Sequence, residues 1–72
     1  MFLADAGRNE EAEDHLRRAL AIYPEYAQMH YNLAVLLSRR GARDEAVEHL
    51  ARAISLAPGN PLPRRLYDQL TR

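Results

Sequence analysis

The sequence predicts an all-α protein built from antiparallel helix-turn-helix repeats that stack as a short α-solenoid. Two observations carry this prediction. The chain resembles itself at a displacement of 34 residues, and apolar residues recur at helical spacing between glycine and proline stops. No stretch alternates apolar and polar residues with a period of two, so no sheet is expected.

The internal repeat pairs residues of the same type along both halves of the chain. A period of 20–50 residues indicates stacked units that each contain a few elements. The identical pairs are Leu3 and Leu37, Gly7 and Gly41, Glu11 and Glu45, Ala12 and Ala46, His15 and His49, Leu16 and Leu50, Arg18 and Arg52, Ala19 and Ala53, and Pro24 and Pro58.

The stops divide the chain into helices in order. A helix tail over residues 1–6 is expected to end at Gly7, and a helix over 9–22 is expected to end before Pro24. A second helix follows over 25–40 and ends at Gly41, which we expect to adopt the left-handed conformation. Two more helices are predicted over 43–56 and 61–71, and the short loops make neighbouring helices antiparallel.

The helix faces are predicted from the same spacing. Leu33, Ala34 and Leu37 form part of the apolar stripe of one helix, and Ala46, Leu50 and Ala53 form part of that of the next. The opposite face carries acid-first pairs four residues apart, among them Glu13–Arg17.

This pattern resembles the tetratricopeptide repeat family, whose unit is about 34 residues of two antiparallel helices. The positions that carry the resemblance are Leu33, Ala34, Leu37, Ala46, Leu50, Ala53 and Pro58, preceded by Ala12, Leu16, Ala19 and Pro24. His30 stands where the family favours Trp, and leucines replace its aromatics. The resemblance implies a right-handed solenoid with a partial repeat over 1–26, a complete repeat over 27–60, and a capping or next-repeat helix over 61–72.

The family resemblance also implies a binding surface. Members bind peptides or helices in a concave groove lined by the first helix of each unit. By position, the groove residues here are Gln28, Tyr31, Asn32, Val35, Ser38 and Arg39, with Arg64, Arg65 and Asp68 from the last helix. The apolar residues of that helix fit the packing face if the repeat gains one residue near Asn60. Some members clamp a C-terminal carboxylate, but Tyr31 and Val35 replace the Lys and Asn of that clamp.

Composition excludes several other function classes. There is no cysteine, and the two serines and one threonine have no base and acid at readable spacing, so neither catalysis nor a cofactor is expected. His15 and His49 each follow a Glu by four residues, but no further ligand is implied and no metal site is expected. Zero net charge argues against nucleic-acid and membrane-surface binding.

The expected partner is a protein or peptide, and the expected location is the cytoplasm, because the start lacks a signal-peptide pattern. Homo-oligomerisation is the alternative, because the predicted first helix lacks a preceding helix to cover Ala12, Leu16 and Ala19. Residues 1–36 carry six acids and three arginines, and residues 37–72 carry four acids and seven arginines, which favours head-to-tail contact. Whether the chain is a piece of a longer array stays open.

Overall fold

The computed structural model describes the backbone of residues 2–72 and the side chains from Asn9 onward. Four helices follow one another: α1 (Phe2–Ile22), α2 (Ala27–Arg39), α3 (Arg43–Leu56) and α4 (Pro61–Thr71). Each packs against the next in the chain, and residues 2–72 contain no strand. The prediction of an all-α helical-repeat solenoid is confirmed.

The first helix differs from the prediction. Gly7 was expected to end a helix tail, but α1 continues through it from Phe2 to Ile22. Glycine permits a left-handed stop without requiring one, and a helix interior tolerates it at a cost of roughly 1 kcal/mol relative to alanine. The helical hydrogen bonds that continue across Gly7 outweigh that cost, so the prediction of a stop at this position is wrong.

Gly41 does end a helix as predicted. Its φ angle is +85°, in the left-handed region. The Ala42 N–H donates to the Leu37 carbonyl at 2.9 Å, and the Gly41 N–H donates to the Ser38 carbonyl at 3.2 Å. This is a Schellman motif, and Ala42 adds its usual apolar contact by packing against the core. The motif turns α3 back antiparallel to α2.

The core lies between α2 and α3. Leu33, Ala34 and Leu37 of α2 are fully buried, as are Ala46, Leu50 and Ala53 of α3. The alanines and leucines of the two predicted apolar stripes therefore form the core between the helices. His30 is also buried, which confirms that it packs in the place of an aromatic residue.

The last helix follows the repeat with a change of register. Asn60 caps it by accepting the Leu62 N–H at 3.1 Å, and Pro61 occupies its first turn. Its inward residues lie 33 positions after the buried residues of α2 (Pro63, Leu66, Tyr67 and Leu70 after His30, Leu33, Ala34 and Leu37). The prediction that the repeat gains one residue here is wrong, since the packing stripe recurs one residue early.

Candidate functional site

An open groove runs between α1 and α2. Ala12, His15 and Leu16 form its α1 wall, and Tyr31, Asn32, Val35 and Leu36 form its α2 wall. The lining is mainly aliphatic and aromatic, with an imidazole and an amide as polar groups. Such a surface offers apolar burial to a partner and a few hydrogen bonds to orient it.

Three residues predicted for the site line this groove: Tyr31, Asn32 and Val35. The Gln28 side-chain amide lies beside them and donates to Asn32 Oδ1 at 2.9 Å. The Ser38 hydroxyl donates to the Val35 carbonyl at 2.8 Å, so its proton is already used within α2. Arg39 is exposed at the end of the same helix.

The predicted residues of α4 lie apart from that lining. Arg64 and Asp68 are both more than half exposed, and Arg64 Nε lies 3.7 Å from Asp68 Oδ1. Arg65 is exposed beside them. With the 33-residue register, Arg64, Arg65 and Asp68 stand at the positions of Tyr31, Asn32 and Val35, on the same side of the repeat.

Sequence reasoning did not assign the α1 wall to the binding site. The repeat contained the signal for it. Ala12 and Leu16 correspond to Ala46 and Leu50, which α2 buries completely, yet Ala12 and Leu16 are only partly buried. His15 is exposed, whereas its counterpart His49 is partly buried against α2. The α1 wall therefore carries the residues of a helix-covered face, and no helix within the part of the chain that the structure describes covers it.

A charged network fixes α1 against the rest of the molecule. Glu13 is only 8% exposed. It accepts from Arg40 Nε at 2.8 Å, and an Arg17 nitrogen lies 3.7 Å away. The prediction that Glu13 faces away from the packing surface is wrong, because the crossing of α1 over the end of α2 brings Arg40 to it.

Arg17 extends this network to α3. Its Nη1 lies 2.7 Å from Glu45 Oε2. This hydrogen bond lowers the pKa of the Glu45 carboxyl below its ordinary value, and the positive charge of Arg17 adds to the effect. The network therefore ties α1, α2 and α3 together.

The described residues, from Asn9 onward, contain no cluster of three or more side chains that could ligate a metal ion. No helix within residues 2–72 is long and apolar enough to cross a membrane. The stacked, antiparallel helix pairs with a 34-residue period place the chain in the class of helical-repeat proteins.

The family model described as tetratricopeptide repeat matches residues 3–70. The chain belongs to the tetratricopeptide repeat family, whose members generally mediate protein–protein interactions. No curated protein and no solved structure matches the chain.

Proposed function

We propose that the protein is a non-catalytic interaction module that binds an amphipathic helix of a partner protein in the α1–α2 groove. The supporting observation is the difference between the two repeats. The face of α3 that contains Ala46 and Leu50 is closed by a helix, whereas the matching face of α1 is open. Helix-in-groove recognition uses apolar anchors at i, i+3, i+4 and i+7, which suits such a face.

The charges on the same side of the repeat, outside the groove lining, specify the partner further. Arg39 ends α2, and Arg64 and Arg65 are exposed on α4. Arginines form paired hydrogen bonds with carboxylates and pair with them more strongly than neutral donors do. The partner therefore carries acidic residues beyond the apolar stripe that fills the groove. Gln28 and Asn32 of α2 supply neutral hydrogen-bonding groups.

A selection from a library of helical peptides tests this proposal. Peptides enriched on the wild-type protein should share an apolar stripe with a small residue opposite Ala12, and flanking acids. Val35→Asp places a charge in the groove and should weaken binding at least about tenfold. Ala51→Asp, on the exposed side of α3, is the matched control and should leave affinity unchanged. Equal losses in both variants would overturn the assignment of the groove.

Self-association is a second candidate, favoured by the open α1 face together with the separation of charge. The described part of α1 carries Glu10, Glu11, Glu13 and Asp14 against two arginines, whereas α4 carries three basic groups counting Arg72 and one acid. A copy of the chain would bring α4 to α1. Light scattering over a hundredfold concentration range decides it: a constant monomer mass excludes this candidate, and a rising mass that falls again in high salt supports it.

A further inference from the structure

A pair of histidines lies between α2 and α3, beneath the turn that joins α1 to α2. Their Nδ1 atoms are 3.0 Å apart, and the ring centroids are 5.2 Å apart with the planes tilted by 32°. The other ring nitrogen of His30, Nε2, lies 2.8 Å from the Pro24 carbonyl oxygen. The pair thus connects α3, through α2, to the backbone of the turn over residues 23–26.

The partners fix which nitrogens carry hydrogen. A carbonyl oxygen only accepts, so His30 Nε2 must donate to Pro24. In the neutral ring His30 Nδ1 is then bare and accepts, which requires His49 Nδ1 to donate. His49 Nε2 is left bare, 4.0 Å from Glu45 Oε2. One hydrogen atom therefore joins the two rings, and the chain of donors runs from His49 to Pro24.

Protonation at the two bare nitrogens affects this chain differently. A proton on His49 Nε2 leaves the bond between the rings intact and brings a positive charge toward Glu45. A proton on His30 Nδ1 removes the acceptor of that bond, and when both are present two charged rings face each other. His30 is only 6% exposed, so water cannot readily screen this repulsion.

We propose that the His30–His49 pair is a pH-sensitive latch, which holds the α1–α2 turn against α3 while at most one ring is charged and releases it when both are. The most exposed large apolar side chains among the described residues are Tyr23, in this turn, and Ile22, the last residue of α1 before it. Release of the turn would therefore move the exposed apolar surface of Ile22 and Tyr23, which lies where α1 joins α2. This latch is independent of the partner proposed above.

Burial and the charged groups around His49 favour its neutral form. Burial lowers the pKa of His49, a positive charge on His30 lowers it further, and Arg17 of α1 acts in the same direction. Glu45 and Glu48, both on α3, oppose these effects. Since the folded protein binds His49's proton less readily than the unfolded chain does, this contribution to stability is complete above the ordinary pKa of about 6.5 and falls below it.

Denaturant unfolding between about pH 8 and pH 5 tests the latch. The folding equilibrium constant of the wild type should fall at least about tenfold over this range, because charging both rings opposes folding. His49→Gln keeps a side-chain donor but cannot be charged, so its fall should stay under about threefold. His15→Gln, at the repeat-equivalent exposed position, is the matched control and should follow the wild type.

An equal fall in His49→Gln and in the wild type would overturn the proposal, as would loss of the pH effect in His15→Gln. Long-range ¹H–¹⁵N spectra of the wild-type protein at about pH 8 give a test that needs no variant. They should show hydrogen on Nε2 of His30 and on Nδ1 of His49. Hydrogen on Nε2 of His49 instead would mean that the two rings do not share a hydrogen bond, and the latch would be excluded.

Discussion

Arg17 on α1 and Glu45 on α3 form a hydrogen-bonded ion pair, with Arg17 Nη1 2.7 Å from Glu45 Oε2. The two residues belong to helices that are not consecutive in the chain, so the pair joins α1 directly to α3. Both side chains are more than a third exposed, which limits the contribution of the pair to stability through solvent screening. Its main effect is to fix the position of α1 relative to the core.

The first prediction concerns acid and this ion pair. The pKa of Glu45 is lowered in the folded state, so its stabilising contribution is present above the ordinary value of 4.5 and is lost as pH falls through the lowered pKa. Glu45→Gln should therefore lower Tm above that pH and make Tm less sensitive to acid below it. Glu11→Gln, at the equivalent exposed position, should retain the wild-type profile. Thermal melts from about pH 3 to pH 6 measure both.

Arg40 and Arg39 give the second prediction, because they are neighbours with different roles. Arg40→Ala removes the 2.8 Å hydrogen bond to the buried Glu13 and should cost about 1 kcal/mol of unfolding free energy, since Arg40 itself is half exposed. Arg39→Ala should change stability by less than about 0.5 kcal/mol. Urea titrations compare them, and equal losses would mean that Glu13 does not depend on Arg40.

The third prediction uses the equivalent alanines of the two repeats. Ala46 is fully buried against α2, so Ala46→Leu should destabilise the fold by about 1–3 kcal/mol through overpacking. Ala12 lines the open groove, and Ala12→Leu should be tolerated while it blocks partner binding. Denaturation and peptide binding are measured on both variants. Destabilisation of similar size at Ala12 would show that the α1 face is already closed.

The fourth prediction is that glycine-to-alanine changes at equivalent repeat positions alter stability in opposite directions. Gly41→Ala forces a side chain into a φ of +85° and should cost roughly 1 kcal/mol. Gly7 lies inside α1, so Gly7→Ala should stabilise the protein by about 0.5–1 kcal/mol. Gly59→Ala, in an open turn without positive φ, should be nearly neutral. If Gly7→Ala lowered the unfolding free energy as much as Gly41→Ala, the helix would end at Gly7 as the sequence predicted.

The core was predictable from sequence because each repeat position imposes a size. Ala34, Ala46 and Ala53 are buried where a small residue is required, and Gly41 ends its helix in the left-handed conformation that the sequence predicts. Gly7 was not predictable by analogy, because glycine only permits a turn. Gly7 and Gly41 occupy equivalent positions of the repeat, and this equivalence does not indicate which of them ends a helix.

The polar contacts were less predictable, because they depend on how helices cross. Glu13 and Arg17 have the spacing of a surface pair, and only the approach of Arg40 and Glu45 shows that they lie between helices. The bond between His30 and His49 joins residues 19 positions apart on different helices. The sequence placed both histidines on helices, but only the structure shows that their rings are in contact.

A titration with the peptide of residues 27–40 tests most directly whether the α1 face accepts a helix. This segment contains α2, the helix that closes the equivalent face of α3. In two-dimensional NMR spectra of the intact protein, the account predicts saturable shifts at Ala12, His15 and Leu16, with no shift at the exposed Ala51. A peptide with Ala34→Glu should produce none of them. Absence of shifts with the unmodified peptide at millimolar concentration, or equal shifts with both peptides, would contradict the claim that the groove binds a helix.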